Sequence, residues 1–590
     1  MAKIKLSDYI AKRLKEKYKV KTFFMVSGGG AMHLNDSLGH GIDHYIANHH
    51  EQASAIAAEG FARINQELAV VNVTTGPGGL NCLNGVFGQW TDSVPVLYIS
   101  GQVKYTTMLD SCKNIPLRQL GDQEVDIISI VKPLTKYAQT VYDPNTIKYH
   151  LDKAIYEATT GRFAPVWLNI PMNVQAAIIE EDELIEFKAP EKKSYNLHIE
   201  EVVEKLKKAK KPLIVAGHGI RLSNTQDTFL KLLDNLKIPV VTTLNGFDLI
   251  EDENPYYIGR IGTIGQRAGN FTLQNADLIL ELGTRNNIRQ VSYNWENFAK
   301  NAFKIVVDID EAELKKPLVK PDLAINADLA DFLPKLMNAT ANPQSDWLDF
   351  CKNLKQKYSN EECHQQKENN ELNPYFFSKI LVDNLKENDI FVMGNGSSCI
   401  CPFQMAKIKK NQRYLSNSGD ASMGYDLPAS IGAYVAGNGR RTICCTGDGS
   451  IMMNLQELET ISYNKLPIKI FVINNDGYSS IRQTQRNFFN GRMTGSGVDS
   501  GVGMPNFEKI AQAFNIKYKS IKSPINIDEQ IKEVLNYEDA IICEVFVQKE
   551  YSFLPKLSSR KLEDGSMISP SLEDMYPFLP RDEYNKNFLP

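Results

Sequence analysis

Short apolar segments that alternate with helix-like segments constrain the fold of this 590-residue chain more than any other feature. Residues 6–18 have apolar side chains at helical spacing, and residues 22–26 form a short apolar run. An alanine-rich, helix-like segment at 53–63 is followed by two apolar runs, 68–73 and 94–99, that are typical of buried strands. Strands that alternate with helices predict a parallel sheet with helices on both faces.

The same alternation returns twice, so we predict an α/β fold of three doubly wound parallel-sheet domains. A single hydrophobic core rarely serves more than about 250–300 residues, and this chain is too long for one. The predicted domains span residues 1–180, 196–337 and 372–548, separated by polar linkers that include 359–371. Residues 549–590 contain several prolines and little periodicity, which predicts an extended tail.

Composition and charge exclude several classes of partner. The chain carries 66 Lys and Arg against 70 Asp and Glu, so we expect neither nucleic acid nor an anionic membrane as partner. No apolar run reaches the roughly 18 residues of a membrane span, and the mean hydropathy is −0.30. The nine cysteines include no Cys-x-x-Cys pair, which argues against a disulfide framework or a structural zinc site. We predict a cytoplasmic globular protein.

The most informative motif lies in the third predicted domain. Asp448, within Gly-Asp-Gly-Ser, follows an apolar strand, and Asn475 follows the next strand. The carboxyl ends of parallel strands are where open sheets bind ligands. Asp448 and Asn475 offer side-chain oxygens to a hard cation such as Mg²⁺, and the Gly477 carbonyl is a third candidate ligand. Gly449 and Ser450 let the backbone approach phosphate groups at a helix start.

Alone, Gly-Asp-Gly-Ser is equally typical of a β-turn, but with the paired asparagines it resembles the thiamine diphosphate (ThDP) fingerprint. The chain resembles the superfamily of acetolactate synthase, pyruvate oxidase and pyruvate decarboxylase, most of all the acetolactate synthase large (catalytic) subunit. Further matching segments contain His50-Glu51-Gln52, Thr75-Gly76-Pro77-Gly78-Gly79, Gly101-Gln102-Val103, Met423-Gly424 and Leu427-Pro428-Ala429. The resemblance implies a pyrimidine-binding domain, a central Rossmann-like domain and a diphosphate-binding domain, in that order.

The resemblance also implies roles for individual residues. Glu51 matches the catalytic glutamate that hydrogen-bonds the aminopyrimidine of the cofactor, and Met423 matches the side chain that lies between the two cofactor rings. Gln102 is a candidate for positioning the substrate or acceptor, and Gly29, within a glycine triplet, for close approach of the backbone to the substrate. The implied metal ligands are Asp448, Asn475 and Gly477. The implied cofactor contacts are Pro77, Gly396, Ser397, Ser422, Met423, Gly449, Ser450 and Tyr478.

Two positions depart from the acetolactate synthase pattern. Asp122 stands where a phenylalanine is usual, and Thr484 stands where a tryptophan shapes the pocket of the second keto acid. Smaller polar side chains predict a larger and wetter acceptor pocket. We therefore expect an enzyme that decarboxylates a 2-oxo acid, with pyruvate as the expected substrate, and joins the two-carbon unit to a carbonyl acceptor. A bulky acceptor such as a 4-keto nucleotide sugar is an alternative to a second keto acid.

A flavin is a further open question. Arg285 and Arg289, with glycines at 259, 262, 265 and 283, resemble FAD-binding segments, but Asn286 replaces the usual phenylalanine. Glycines after strands are also ordinary turn residues. FAD therefore remains an alternative, and its role would be structural.

Several functional alternatives stay open at this stage. A non-oxidative 2-oxo acid decarboxylase would release an aldehyde, and a hydrolase of the same superfamily would cleave a cyclic dione. An inactive ThDP-binding scaffold or regulatory subunit is a third, against which the joint presence of Glu51, Met423, Asp448 and Asn475 argues. The resemblance implies a homodimer or homotetramer with active sites between subunits.

Overall fold

The computed structural model describes residues 3–359, 366, 371–561, 564 and 566–589. It contains three sheets of six parallel strands, each flanked by helices, which confirms the predicted fold class. Most of the linker predicted at 359–371 lies outside the described residues. Among the residues described, no helix is both long and apolar enough to cross a membrane.

The amino-terminal unit has the strand order β3-β2-β4-β5-β7-β6, and a separate antiparallel pair, β1 with β8, joins its two ends. Its strands are β1 (Lys3–Lys5), β2 (Thr22–Met25), β3 (His44–Ala47), β4 (Ala69–Val73), β5 (Val96–Gln102), β6 (Tyr137–Thr140), β7 (Val166–Pro171) and β8 (Ile178–Glu180). Its helices are α1 (Leu6–Glu16), α2 (Met32–Gly41), α3 (Glu51–Asn65), α4 (Pro77–Asn81), α5 (Leu83–Asp92), α6 (Ile127–Val131), α7 (Ile147–Thr159) and α8 (Met172–Gln175). The central strands β4 and β5 are buried along their whole length, as their mainly apolar sequences predict.

The central unit has the strand order β11-β10-β9-β12-β13-β14. Its strands are β9 (Pro212–Ala216), β10 (Val240–Thr242), β11 (Tyr257–Arg260), β12 (Leu278–Leu282), β13 (Phe303–Asp308) and β14 (Leu323–Asn326). Its helices are α9 (Ile199–Lys208), α10 (Gly219–Leu222), α11 (Gln226–Leu236), α12 (Arg267–Asn275), α13 (Ile288–Val291), α14 (Glu311–Lys315), α15 (Leu329–Leu336) and α16 (Trp347–Lys357). The order of the strands reverses between β9 and β12, which is where doubly wound sheets bind ligands.

The carboxyl-terminal unit has the strand order β16-β15-β17-β18-β20-β19. Its strands are β15 (Ile390–Met393), β16 (Arg413–Leu415), β17 (Thr442–Gly447), β18 (Lys469–Asn474), β19 (Lys517–Ile521) and β20 (Ile541–Phe546). Its helices are α17 (Pro374–Asp383), α18 (Ser397–Met405), α19 (Asp426–Ala436), α20 (Asp448–Ile451), α21 (Glu457–Tyr463), α22 (Ser479–Phe489), α23 (Phe507–Ala513) and α24 (Ile527–Asn536). Helix α19 packs closely on α3 of the amino-terminal unit.

The chain after β20 packs back onto the central unit. This tail contains the antiparallel pair β21 (Arg560–Lys561) and β22 (Met567–Ile568) and the helix α25 (Arg581–Asn585). Arg267 donates to the carbonyl of Met575 at 3.1 Å, and Asn270 donates to that of Leu572 at 3.0 Å. Side chains of the central unit thus satisfy backbone groups of an otherwise irregular segment.

Candidate active site

One corner of the carboxyl-terminal unit gathers the residues predicted to hold a metal ion. Asp448 follows β17 and Asn475 follows β18, and because these strands are parallel neighbours their ends lie side by side. Only 1% of Asp448 is exposed. Its carboxylate accepts the backbone N–H groups of Gly449, Asn475 and Gly477 at 2.8, 3.1 and 2.9 Å. The structure therefore brings the three predicted ligands together; we call Asp448 and residues 475–477 the metal corner.

The chemistry of the metal corner fits a small, hard cation. Burial raises the pKa of the Asp448 carboxyl to about 6, although its three backbone donors act in the opposite direction. Asn475 is also buried, and Gly477 has a φ of +123°, a conformation that favours glycine. A carboxylate, an amide oxygen and a backbone carbonyl are oxygen donors that Mg²⁺ takes in proteins.

The predicted diphosphate loop lies beside the metal corner. Ser397 follows Gly396 as the first residue of α18, and its hydroxyl lies 3.3 Å from that of Ser479, the first residue of α22. The Asn475 amide donates to the same Ser397 hydroxyl at 3.5 Å. Two helices therefore begin at the metal corner, and the N–H groups at a helix start suit phosphate oxygens.

Hydrogen bonds from two units hold the segment around Met423. The N–H of Gly424 donates to the hydroxyl of Ser450 at 2.9 Å, which links this segment to the metal corner. The Ser422 hydroxyl donates to Asn84 of the amino-terminal unit at 2.6 Å. Met423 itself is partly exposed. Its backbone is thus fixed while part of its side chain faces open space.

Glu51 lies at the start of α3. The preceding residue, His50, caps the helix because its ring accepts the N–H of Gln52 at 3.1 Å. Asn81, at the end of α4, donates to the Glu51 carboxylate at 2.9 Å. Pro77, the first residue of α4, is exposed at the other end of that short helix. The segments that contain Glu51 and Pro77 in the sequence are therefore adjacent in space.

Among the described residues, Glu51 and Asp448 have no hydrogen-bond partner in common. In the part of the chain that the structure describes, the Glu51 carboxylate accepts a hydrogen bond from the amino-terminal unit, whereas the hydrogen bonds to the Asp448 carboxylate come from the carboxyl-terminal unit. A cofactor that touched both would therefore bridge two separate surfaces.

Gln102 and Gly29 differ in how open their surroundings are. Gln102 is 2% exposed, and its amide donates to the carbonyl of Val125 at 3.0 Å and accepts the N–H of the next residue at 2.9 Å. Its side chain thus holds the following loop. Gly29 has open space around it, whereas Gly28 and Gly30 pack closely on two threonine side chains.

The outer face of α22 carries Thr484, one of the two departures from the pattern. Thr484 is exposed, and Phe488, four residues further on, is 60% exposed. Residues four apart lie on the same face of a helix, so Phe488 supplies aromatic surface one turn beyond Thr484. Tyr478, just before the helix, packs its ring on Gly449. Asp122, the other departure, is exposed on the amino-terminal unit.

A cavity of about 580 Å³ lies at the carboxyl ends of the central strands, where their order reverses. Asp92 and His218 line it, and the Oδ1 atom of Asp92 and the Nδ1 atom of His218 have no hydrogen-bond partner among the described residues. Arg285 lies 3.9 Å from the same Asp92 oxygen. Buried polar atoms without partners in a cavity of this size suit a ligand with its own hydrogen-bonding groups.

Asn286, which replaces the phenylalanine of the usual flavin segment, is not part of the cavity wall. It is buried and turned inward, where it donates to Glu281 and accepts from Gln290 at 2.8 Å. Its neighbours Arg285 and Asn287 line the cavity instead. The cavity wall of this protein is therefore built without the side chain at position 286.

Three site residues escaped the sequence interpretation: Ser479, Arg482 and Asp426. Asp426 is buried and accepts the Ser450 hydroxyl at 2.8 Å, and burial raises the pKa of its carboxyl to about 6. Its position between the matching segments Met423-Gly424 and Leu427-Pro428-Ala429 was a usable signal. Ser479 and Arg482 lie in an ordinary polar helix pattern, and only the fold shows what they contact.

Three family models of thiamine pyrophosphate enzymes match the chain. Residues 4–130 match the model "Thiamine pyrophosphate enzyme, N-terminal TPP binding domain", residues 199–336 match the central domain of the same enzymes, and residues 394–545 match their "C-terminal TPP binding domain". Each matched range lies inside one predicted domain.

Similar proteins include three acetolactate synthase large subunits. The protein from Lactococcus lactis subsp. lactis is 31% identical, over 94% of this chain and 96% of its own length. That from Cyanidium caldarium is 32% identical, over 92% of this chain and 94% of its own. The isozyme 2 large subunit of Escherichia coli is 29% identical, over 90% of this chain and 93% of its own length.

Proposed function

The chain belongs to the thiamine pyrophosphate enzyme family, in its acetolactate-synthase-like part, and from this membership we propose a Mg²⁺-dependent carboligase. Its substrate is a 2-oxo acid, with pyruvate as the expected one. It removes CO₂ from this acid and joins the remaining two-carbon unit to a carbonyl acceptor. The boundaries 1–180, 196–337 and 372–548 and the cytoplasmic location stay predictions.

The metal corner carries the proposal. Asp448 is buried, held by three backbone N–H groups, and adjacent to Asn475 and Gly477. An arrangement of this kind suits a divalent ion that neutralises a diphosphate. Thiamine diphosphate (thiamine pyrophosphate), when bound, supplies a carbon nucleophile that adds to a keto group and accepts the electron pair left by the loss of CO₂.

The residues of the chain bind and orient this cofactor. We assign the metal to Asp448, Asn475 and Gly477 and the diphosphate to the start of α18 at Ser397. Glu51 holds or releases a proton at the aminopyrimidine nitrogen, a task for a positioned carboxyl group. Asn81 supports this assignment, since it fixes the orientation of that carboxyl by its hydrogen bond.

A homodimer or homotetramer completes the site in this proposal. Glu51 of one chain then faces the metal corner of another, which agrees with the separate hydrogen-bond partners of Glu51 and Asp448 among the described residues. Large apolar side chains exposed on α5, on α22 and after α20 support such an interface. They are Phe87, Trp90, Met453, Ile481, Phe488 and Phe489.

The acceptor is the finer part of the proposal. Thr484 leaves space on α22 where a tryptophan would fill it, and Phe488 offers an aromatic surface at the outer end of that space. We propose an acceptor bulkier and more polar than pyruvate, with a 4-keto nucleotide sugar as one candidate. An acceptor profile limited to pyruvate and 2-oxobutanoate contradicts this.

FAD is the proposed occupant of the central cavity, in a structural role. The Asp92 and His218 atoms that lack a hydrogen-bond partner among the described residues, together with Arg285 nearby, support a ligand with hydrogen-bonding groups of its own. The protein as purified should then show the visible absorption of a flavin, retained after dialysis. A colourless protein that gains no absorption on incubation with FAD contradicts this assignment.

The test uses the purified protein with ThDP, Mg²⁺ and ¹³C-labelled pyruvate, followed by NMR. We expect release of CO₂ and, with a suitable acceptor, a ligated product, both absent in Glu51→Gln. The variant should still bind ThDP, which separates loss of chemistry from loss of the cofactor. Free acetaldehyde as the sole product would make the protein a decarboxylase. ThDP binding without any CO₂ release by the parent would favour a scaffold and overturn the proposal.

A further inference from the structure

Arg482 is a buried cation of α22 whose contacts are carbonyl groups. It is 8% exposed, and among the residues described it forms no salt bridge. Its Nη2 donates to the carbonyl of Asn475 at 2.7 Å, and its Nη1 donates to that of Asp476 at 3.0 Å. Burial of a charge is costly unless hydrogen bonds compensate for the lost water. These carbonyls therefore compensate the buried charge of the guanidinium, and the guanidinium in turn supplies their hydrogen-bond donors.

Two more carbonyls extend the same cluster to other parts of the chain. Nη1 also donates to Ser496 at 3.1 Å, in the glycine-rich loop after α22, and Nη2 lies 3.4 Å from the carbonyl of Lys549, at the start of the tail. One planar group thus joins three segments. Lysine would replace it only in part, because a single ammonium on a flexible stem keeps the charge but lacks the fixed fork of donors.

The cluster determines which oxygens of the metal corner remain available. Because the carbonyls of Asn475 and Asp476 both accept hydrogen bonds from Arg482, the guanidinium already occupies them. The Asn475 side-chain oxygen makes only a long contact with Nη2, 3.4 Å, and among the described hydrogen bonds none ends on the Gly477 carbonyl. These two oxygens, with Asp448, are the proposed metal ligands.

Close packing locks this arrangement. A Cβ atom added at Gly477 would lie 3.2 Å from Nη1 of Arg482 and 2.6 Å from the carbonyl oxygen of Ser496. Asp476 has a left-handed φ of +58° directly before it. The backbone from Asn475 to Gly477 therefore has little freedom to rotate while the guanidinium is in place.

We propose that Arg482 is a positioning residue for the metal ion: it fixes the peptide groups of Asn475 and Asp476 so that the Asn475 side chain and the Gly477 carbonyl meet one cation. The inference rests on the proposed Mg²⁺–ThDP site. It assigns no contact between Arg482 and the cofactor. Groups that orient metal ligands affect metal affinity by roughly 10- to 100-fold.

The experiment measures ThDP binding by the full-length protein as a function of Mg²⁺, by isothermal titration calorimetry, without reference to activity. We expect the half-saturating Mg²⁺ concentration to rise roughly 10- to 100-fold in Arg482→Met, and less in Arg482→Lys, which keeps the charge without the fork. The matched control is Arg486→Met, one turn later on α22, whose side chain pairs with Glu550. Arg486→Met should have the same half-saturating Mg²⁺ concentration as the parent.

A comparison of two ions distinguishes a positioning role of Arg482 from a merely structural one. Ca²⁺ accepts irregular coordination, whereas Mg²⁺ demands a near-octahedral site. Loss of positioning should therefore weaken Mg²⁺-supported binding more than Ca²⁺-supported binding, and this ratio should return towards the parent value in Arg482→Lys. Equal losses with both ions, or unchanged Mg²⁺ titrations in the folded variants, would overturn the inference.

The outcomes remain distinct from a failure of the proposed function. If the parent binds no ThDP with any divalent ion, the metal–diphosphate site itself is wrong. If the parent binds and the variants bind equally well, only the role of Arg482 is wrong. Should Arg482→Met fail to fold, Arg482→Lys decides through the same ratio of Mg²⁺ to Ca²⁺.

Discussion

Gly60 and Ala429 meet backbone to backbone, since a Cβ atom added to Gly60 would overlap the carbonyl oxygen of Ala429. The contact is reciprocal, because a Cβ atom added to Gly432 would overlap the carbonyl oxygen of Ala57. Helix α3 carries Gly60 and begins at Glu51, and α19 carries Gly432 and begins just after the predicted cofactor segment. The crossing of these helices therefore sets the relative position of the amino-terminal and carboxyl-terminal units.

Gly60→Ala and Gly432→Ala should both destabilise the protein. Overpacking in a core costs about 1–3 kcal/mol, and here the added methyl meets backbone atoms, which cannot turn aside as a side chain can. We expect the upper end of that range, seen as a lower thermal unfolding temperature. The matched control is Gly39→Ala in α2, where the new Cβ would lie 3.9 Å from its nearest neighbour. Equal unfolding temperatures for Gly60→Ala and the control would contradict this explanation.

The strands were predictable because their signal is local. The run at 68–73 is apolar except for Asn72, and β4 (Ala69–Val73) is buried at every position. The approach of Gly60 to Ala429 was not predictable, because each glycine looks like an ordinary weak point of a helix until the partner helix is known. The hydrophobic periodicity of one segment does not show which distant segment will pack against it.

Asp448→Asn should abolish tight, Mg²⁺-dependent binding of ThDP. The amide that replaces the carboxylate brings an N–H₂ group towards backbone N–H donors and removes the one formal negative charge among the proposed ligands. Asp476→Asn is the matched control, since its carboxylate pairs with Lys549 at the surface and asparagine tolerates a left-handed φ. Calorimetric titration with ThDP should show weak binding only in the first variant. Normal binding by Asp448→Asn would remove Asp448 from the metal site.

Some residues of the site could be predicted from the sequence and others could not, for physical reasons. Asp448 and Asn475 were recognisable because polar residues directly after two strands share a sheet edge, a relation that follows from chain order. Arg482 carries no such mark, because its role depends on four carbonyls that only folding brings together. Asn286 shows the opposite limit: its identity marked a departure from the flavin pattern, whereas its side chain hydrogen-bonds Glu281 and is not among the residues that line the cavity.

Thr484→Trp should narrow the range of acceptors. The exposed face of α22 at this position has room that an indole would occupy, so kcat/KM for bulky acceptors should fall at least about tenfold, the equivalent of about 1.4 kcal/mol. The value for a small keto acid should change less. Thr484→Val is the control for polarity, because it keeps the size and removes the hydroxyl. If the tryptophan variant accepts large and small substrates in the parent's ratio, Thr484 does not line the acceptor pocket.

Glu281 should make the stability of the central unit depend on pH. It lies in β12, fully buried, with Oε2 bonded to Asn286 and Oε1 without a partner among the described residues. Burial raises the pKa of this carboxyl to about 7. The folded state thus holds a proton that the unfolded chain, with a pKa near 4.5, releases more readily.

A raised carboxyl pKa stabilises the fold at low pH and loses that contribution as the pH rises through about 7, because ionisation is then favoured in the unfolded chain. The shift corresponds to a loss of about 2–3 kcal/mol between pH 5 and pH 8. Glu281→Gln has no proton to lose, so it should not show this loss. Between pH 5 and pH 8, its free energy of unfolding in urea should therefore rise by about 2–3 kcal/mol relative to that of the parent. Glu191→Gln, at an exposed position, should follow the parent at both pH values. A parallel pH dependence in Glu281→Gln and the parent would mean that Glu281 is already ionised in the folded protein, with water or a cation compensating its charge.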